Sequence, residues 1–284
     1  MSHSKMNSTI SGIYIIYILI PVLLFITCYH DVLSWMYMRC RGVDSYYSHA
    51  FLIPIVSAFL ICQKRDQLKG LNPEISWLGL GLIIFSALLH ILGTILYVFS
   101  VSGFSICFLI IGAALFLFGK DITKRISFPL AYLAFMFPLP LAILTAISFP
   151  MKMLVAEAGV AVVRLLGVSV LRQGFTLTIP AGQLVVGNPC SGIRSLIAFL
   201  ALGAVLAYLQ KASNTRKIVL FLLAIPIAIL SNMFRVPLLI LIAHFWGMKA
   251  ASPESFLHDA TGMFVFVVGF FMLFIAAKAL AWKK

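Results

Sequence analysis

The sequence contains few charged residues. Asp, Glu, Lys and Arg together make up 10% of the 284 residues, whereas hydrophobic residues make up 62%. Soluble globular proteins contain about 25% charged residues and about 45 to 50% apolar residues. The composition therefore excludes a soluble globular protein and predicts a membrane protein with several spanning helices.

Cysteine is also scarce, and the five cysteines are Cys28, Cys40, Cys62, Cys107 and Cys190. No Cys or His residues stand close together in the spacing that metal sites need, so we predict no metal and no other cofactor. No disulfide framework is indicated, although Cys28 and Cys40 could pair if both face an oxidising compartment. Cys62 and Cys107 are interpreted as packing residues.

Acidic residues are much rarer than basic ones, 8 against 21, which gives a formal net charge of +13. Many of the basic residues lie in four short clusters rather than in one basic domain, so binding to nucleic acid is not predicted. The clusters are Lys64, Arg65 and Lys69; Lys120, Lys124 and Arg125; Lys211, Arg216 and Lys217; and Lys278, Lys283 and Lys284. Because Lys and Arg in short loops favour the cytoplasmic side, we expect both termini to be cytoplasmic.

Long apolar runs occur about eight times, and a helix needs about 20 such residues to cross a bilayer. We predict an all-α polytopic membrane protein in one integral membrane domain, residues 1–284, without a separate soluble domain. The predicted spans are 10–28, 46–62, 75–93, 97–118, 126–146, 192–209, 218–243 and 259–281. The first run is too long for a cleavable signal peptide. Lys152, Glu157 and Arg164 interrupt the segment 149–167, which is expected to lie in the interface or to dip into the bilayer.

This topology brings four polar residues to the extracytoplasmic face. Cys190 precedes the sixth span, Arg235 lies near the outer end of the seventh, His258 precedes the eighth, and His49 begins the second. Each also has a simpler interpretation: an inert packing cysteine, an arginine that reaches toward lipid headgroups, or histidines that lie at the interface. A cluster of polar residues at one depth favours a functional site.

The segment Asn188–Ser195 carries the candidate nucleophile. Asn188 suits an N-cap and Pro189 the first helical position, which predicts that Cys190 lies in the first turn, where the helix end favours a thiolate. Ser191 and Gly192 leave room for close backbone approach, and Arg194 adds a cation. A small-residue packing site with an inert thiol is the alternative.

Residues 175–186 alternate apolar and polar side chains around Pro180–Gly182, which predicts a small extracytoplasmic hairpin before span six. Such a hairpin could offer an edge to an extended peptide. It is equally consistent with an ordinary connector.

The two other candidate residues have suggestive neighbours. Asn232 precedes Arg235 by three residues and shares its helix face, and Pro226 and Pro237 are expected to kink this span. Gly262 lies one turn from His258, and Asp259 is expected either to cap that helix or to orient the imidazole. His90 and His244 lack such neighbours and are interpreted as packing or interfacial residues.

Five segments together resemble the exosortase/archaeosortase family in order and spacing, over most of the chain from about residue 45. They are Tyr47–Pro54, Phe137–Pro140, Cys190–Ser195, Asn232–Val236 and His258–Gly262. The resemblance implies a multi-pass membrane cysteine protease and transpeptidase. By this resemblance, Cys190 would be the nucleophile of this chain, Arg235 the cationic partner and His258 the acid/base residue. His49, Asn232, Arg194 and Ser191 are assigned accessory or substrate-binding roles.

The resemblance also implies the substrate and the location. Members of this family act on exported, membrane-anchored proteins that end in a short motif such as Pro-Glu-Pro, an apolar helix and a basic cluster. We therefore expect cleavage at the outer face of the cytoplasmic (inner) membrane, in contact with membrane lipid, and transfer to an unknown acceptor. A transporter or lipid carrier with a polar outer-leaflet cavity, in which Cys190 is incidental, is the alternative.

Overall fold

The computed structural model describes residues 2–42, 45–187 and 192–282, and within these ranges it describes side chains from residue 19 to residue 281. The described helices are α1 (Ser2–Arg41), α2 (Leu52–Gln63), α3 (Arg65–Leu68), α4 (Trp77–Ile95), α5 (Phe99–Arg125), α6 (Ser127–Tyr132), α7 (Leu141–Leu165), α8 (Ile193–Leu209), α9 (Asn214–Met233), α10 (Arg235–Trp246), α11 (Met248–Ala251) and α12 (Phe256–Trp282). Short 3-10 turns precede α2 at Ser48–Phe51 and follow α6 at Leu133–Met136.

Six helical segments within the described residues are long and apolar enough to cross a membrane, so the protein is a mostly helical, multi-pass membrane protein. They are Leu19–Arg41, Trp77–Ile95, Phe99–Arg125, Leu141–Leu165, Asn214–Trp246 and Phe256–Ala281. Two other predicted spans correspond to shorter apolar helices, Ser48–Gln63 and Ile193–Leu209. Eight crossings therefore stay a prediction.

The predicted span at 126–146 is wrong as a single helix. The chain leaves the helical conformation after Met136 and begins α7 at Leu141. Pro138 and Pro140 explain the break, because proline lacks an N–H and holds the preceding residue in an extended conformation. Phe137 is indeed extended, with φ −87° and ψ 126°.

Helix α7 runs on for 25 residues and includes most of the segment for which the sequence predicts an interfacial or re-entrant position. Its charged side chains contact the chain that follows. Arg164 donates two hydrogen bonds to the carbonyl of Val170, at 3.2 and 2.7 Å, and Glu157 lies 3.9 Å from Arg172. These charges are thus accommodated by partners beside the helix.

A three-stranded antiparallel sheet follows α7, in the order β1 (Leu171–Gln173), β2 (Thr176–Ile179) and β3 (Gly182–Val185). Strands β2 and β3 occupy the residues for which the sequence predicts a hairpin, and β1 is an additional strand. One face of the sheet packs on α7 and α10 through a cluster of buried apolar side chains that includes Val155, Val163, Val170, Leu177, Leu184 and Leu239. The sheet is therefore part of the folded core rather than an unpacked connector.

Cys28 and Cys40 do not form the disulfide that the sequence allows. Both lie on α1 and both thiols are free. Twelve helical residues separate them by about 18 Å at 1.5 Å per residue. The Cα atoms of a disulfide must approach within about 7 Å, so the two residues cannot pair within one helix.

Helices α4 and α5 pack unusually closely because small residues line their contact. A Cβ at Gly79 would lie 2.3 Å from the backbone nitrogen of Phe116, and one at Gly93 would lie 2.6 Å from that of Ser102. Close backbone approach at glycine is a common way for membrane helices to associate, since lipid supplies no hydrophobic driving force between them. The pair packs beside α1.

A buried polar network joins this helix pair to α1. Tyr29 Oη lies 2.9 Å from Ser105 Oγ, and Ser86 Oγ donates a 2.7 Å hydrogen bond to the carbonyl of Ser105. His90 hydrogen-bonds to Ser102 and to the carbonyl of Cys28, which is consistent with its interpretation as a packing residue. Each of these groups has a hydrogen-bond partner, as groups buried in an apolar setting require.

Gly79→Ala should destabilise the protein by about 1–3 kcal/mol, because the new methyl group meets backbone that cannot move without separating the helices. Gly81→Ala is the matched control on the same helix, since a Cβ there meets nothing within 4 Å. Thermal unfolding of the purified protein in detergent measures both effects. Equal melting temperatures for the two variants would contradict the packing described.

Candidate functional site

The regular helix of the long apolar segment Asn214–Trp246 is interrupted at Phe234, between α9 and α10, although Phe234 itself keeps a right-handed helical backbone with φ −79° and ψ −20°. Pro237 accounts for the break, because it has no N–H to bond with the carbonyl of Met233, four residues earlier, and its ring clashes with that carbonyl. Pro226, where the sequence also predicts a kink, lies within α9, which continues through it. The break places Asn232 in the last turn of α9 and makes Arg235 the first residue of α10.

The start of α8 meets Asn232 at this break. Gly192 precedes the helix with φ 76° and ψ −1°, a left-handed conformation that glycine adopts without strain. A Cβ at Gly192 would lie 2.7 Å from the Asn232 side-chain nitrogen. Asn232 itself is 2% exposed. Gly192 thus allows both the turn of the backbone and its close contact with α9.

The described helix begins at Ile193, so the predicted helix start at Asn188 to Cys190 is wrong for α8. The reason is the left-handed backbone at Gly192, which a regular helix does not contain. Cys190 and Ser191, with Asn188 and Pro189, lie outside the described residues. Their predicted roles stay predictions.

The guanidinium of Arg235 packs against α12. A Cβ at Gly262 would lie 3.1 Å from Arg235 Nη2 and 3.3 Å from Cζ. Gly262 follows His258 by four residues, so the two share one face of the helix. The structure therefore brings Arg235 to the helix face that carries His258.

His258 is 5% exposed and its ring is held in one orientation. Its Nδ1 lies 3.1 Å from the carbonyl oxygen of Ala251. Because a carbonyl only accepts hydrogen bonds, Nδ1 carries the proton in the neutral ring, and Nε2 is the nitrogen able to accept one. This is the arrangement that a general base requires.

Ser255, rather than Asp259, caps the helix that carries His258. The Ser255 hydroxyl accepts a hydrogen bond of 3.1 Å from the backbone N–H of His258. A serine three residues ahead of the bonded N–H is the usual N-cap pattern, and this signal was present in the sequence. Asp259 instead lies on the wall of the cavity described next.

A cavity of about 350 Å³ lies where these helix ends meet. Its polar and charged lining consists of Ser48, His49, Arg194, Ser195, Asn232, Arg235 and Asp259, and its other lining residues are Gly192, Ala198, Gly262, Met263, Val265 and Phe266. The cavity is electropositive, because it is lined by two arginines, Arg194 and Arg235, and by one carboxylate, Asp259. Such an environment stabilises negative charge that develops on a bound molecule.

His49 is held at this cavity by the Pro138–Pro140 corner. The backbone N–H of Leu139 donates a 2.9 Å hydrogen bond to Tyr47 Oη, and the Tyr47 and His49 rings stack with centroids 5.9 Å apart. Both ring nitrogens of His49 are buried, and neither has a hydrogen-bond partner among the described residues.

The structure thus gathers His49, Arg194, Asn232 and Arg235 around one cavity, with His258 one turn from its wall at Gly262. His258 itself lines a second cavity, between β3 and α10. Within the described residues no group of three or more His, Cys, Asp or Glu side chains is placed to hold a metal ion. No sequence pattern indicated the second cavity, because it depends on the tertiary fold.

A family model described as transmembrane exosortase matches residues 37–275, a range that includes His49, Cys190, Arg235 and His258. The chain belongs to the transmembrane exosortase family. The resemblance seen in the sequence motifs is thereby confirmed. No curated protein and no solved structure matches this exosortase-family chain.

Gly192→Ala should destabilise the protein by more than the cost of left-handed backbone alone, which is about 1–2 kcal/mol. The added methyl group would also displace the buried Asn232. Gly167→Ala is the matched control, because Gly167 has φ 84° but open space around it. Thermal unfolding in detergent should show a larger loss for Gly192→Ala, and an equal loss would show that the contact with Asn232 contributes nothing.

Proposed function

We propose that this chain is a membrane cysteine protease and transpeptidase that cleaves the carboxy-terminal sorting signals of exported proteins at the extracytoplasmic face. Two contacts support this most strongly: Gly192 lies against Asn232, and Arg235 lies against the helix face that carries His258. Cys190 is two residues from Gly192 in the sequence, and two residues of chain span at most about 7 Å. This short separation supports a site in which Cys190, Arg235 and His258 act together.

The reaction begins at the thiol of Cys190. Its proton passes to His258, and the thiolate attacks the carbonyl carbon of the substrate peptide bond to form a tetrahedral intermediate. Arg235 stabilises the oxyanion, a kind of contribution that is typically worth about 10²- to 10³-fold in rate. His258 then protonates the departing nitrogen, the C–N bond breaks, and a thioester to Cys190 remains.

The second half of the reaction releases the substrate. An acceptor nucleophile, or water, gives its proton to His258 and attacks the thioester carbonyl. The C–S bond breaks, the thiol of Cys190 is restored, and the new carboxyl end is joined to the acceptor. The bond between Nδ1 of His258 and Ala251 supports this role, because it leaves Nε2 to carry the proton in both halves.

Helix length supports placement of the site at the outer membrane surface. Helix α9 begins beside the basic residues Arg216 and Lys217, which favour the cytoplasmic side. Its 20 residues rise about 30 Å, the thickness of the hydrocarbon core. Asn232 and Arg235 then lie at the opposite surface, where a membrane-anchored substrate would present the chain just outside its own helix.

Cys190→Ala should abolish processing of an exported reporter protein that ends in Pro-Glu-Pro, an apolar helix and a basic cluster. The thioester cannot form without the thiol. Cys62→Ala is the control, because Cys62 is an exposed cysteine on α2 away from the cavity. Immunoblotting of the reporter in cells, with the enzyme quantified in the same membranes, measures processing.

Full processing by Cys190→Ala at a normal enzyme level would overturn the proposal. It would favour a transporter or lipid carrier in which the polar cavity serves transport. Loss of processing by both cysteine variants would also count against a specific role for Cys190.

A further inference from the structure

The second cavity that His258 lines has different chemistry from the electropositive one. Its volume is about 280 Å³, and it lies between β3, α10, α11 and the start of α12. Apart from His258, its lining is uncharged and mostly apolar: Gln183, Leu184, Val185, Val186, Val236, Leu239, Met248, Ala251, Ser252 and Pro253. A charged side chain would lose its hydration here without gaining a partner, whereas an apolar one would gain burial.

The edge of β3 faces this cavity. Side chains of successive strand residues point to opposite faces, yet four consecutive residues, 183 to 186, all line the same space. The cavity therefore runs along the strand edge, where backbone groups as well as side chains are presented.

The register of the sheet identifies which backbone groups point there. Thr178 is opposite Gln183 and Thr176 is opposite Val185. The backbone N–H of Val186 donates a 2.9 Å hydrogen bond to the carbonyl of Phe175. In an antiparallel pair hydrogen-bonded and non-bonded positions alternate, so the N–H and C=O groups of Gln183 and Val185 point away from β2. Among the described strands, none pairs with β3 on that side.

We propose that β3 binds the extended segment of the substrate as an added strand, and that the 280 Å³ cavity receives an uncharged, aliphatic side chain next to the scissile bond. This inference rests on the proposed function, because it treats His258 as the group that acts on that bond. Backbone hydrogen bonds to Gln183 and Val185 hold the segment, and the cavity selects one side chain. The electropositive cavity on the other side of the first turn of α12 then receives the neighbouring part of the substrate.

Two substitutions change the size of the cavity without touching the catalytic groups. Met248 is partly buried and its side chain packs on Gly182, so Met248→Ala enlarges the cavity. Ser252 lines the cavity, and its hydroxyl donates a 2.8 Å hydrogen bond to the carbonyl of Lys249, so Ser252→Phe reduces the cavity volume and removes that bond. Ser252→Thr is the matched control, because threonine keeps the hydroxyl group and has a side chain of similar volume.

The specificity experiment uses the Pro-Glu-Pro reporter with each residue within five positions of the motif changed in turn to Ala, Val, Leu, Phe, Asp or Lys. The wild-type enzyme should prefer Val or Leu over Asp or Lys at one position. At that position, the Met248→Ala enzyme should process the Phe reporter better, relative to the Val reporter, by about 10-fold or more. The Ser252→Phe enzyme should process the Leu reporter less well, relative to the Ala reporter, by about 10-fold. Ser252→Thr should leave the preference unchanged.

A second experiment tests the strand edge. Val185→Pro removes one outward-pointing N–H, and proline is tolerated at an edge position whose N–H does not bond within the sheet. We expect processing to fall by about 3- to 10-fold for every reporter, as for loss of one hydrogen bond. Val185→Thr is the matched variant that keeps the N–H, so processing should fall less than for Val185→Pro, and equal melting temperatures would show that the sheet is intact in both.

The outcomes separate this inference from the function on which it depends. If the wild-type enzyme shows no cleavage that depends on Cys190, the proposed function fails. If cleavage depends on Cys190 but Met248→Ala and Ser252→Phe change all reporters equally, the cavity does not select a side chain and the inference is overturned. Normal processing by Val185→Pro would overturn strand addition.

Discussion

The contact between Arg235 and Gly262 is the interaction on which the site depends. The guanidinium lies so close to the Gly262 backbone that any side chain there would meet it, at 3.1 Å for a Cβ. A second close approach, between Gly192 and Asn232, brings the start of α8 to the same helix break. These two glycines allow Arg235 and Asn232 to lie against the backbone, and the helix ends that carry them line one cavity. The positions of the helix face that carries His258 and of Gly192 at the start of α8 follow from these two contacts.

An apolar helical bundle can hold such a polar site because its helices end or break there. Helix α9 gives way to α10 at Phe234, ahead of Pro237, about 30 Å along the spanning segment Asn214–Trp246. The strands that follow α7 pack on α7 and α10 and bury the apolar face of the small sheet. Charges that an isolated membrane helix would not tolerate, such as Glu157 and Arg164, find partners in this layer. The layer also supplies β3 and the uncharged cavity beside His258.

Much of this arrangement could be predicted from the sequence. Helix spacing placed Asn232 with Arg235 and Gly262 with His258, and hydropathy with basic clusters identified a multi-pass membrane protein. The break between Met136 and Leu141 was missed, although Pro138 and Pro140 signal it, because the apolar run continues through them. The left-handed backbone of Gly192, the Ala251 carbonyl that orients His258, and the cavity along β3 arise from contacts between distant segments. No local pattern in the sequence reports such contacts.

The central claim is that Cys190 forms a thioester with the substrate, and hydroxylamine tests it most directly. Hydroxylamine attacks a thioester carbonyl, breaks the C–S bond and leaves a hydroxamate on the new carboxyl end of the substrate. Enzyme that is purified, reconstituted into membranes and mixed with the Pro-Glu-Pro reporter and hydroxylamine should give a cleaved reporter that ends in a hydroxamate at one position. Mass spectrometry identifies this end, and the Cys190→Ala enzyme should give no hydroxamate. A cleaved reporter that carries only a free carboxylate at high hydroxylamine concentration, or a hydroxamate formed by Cys190→Ala, would contradict the acyl-enzyme mechanism.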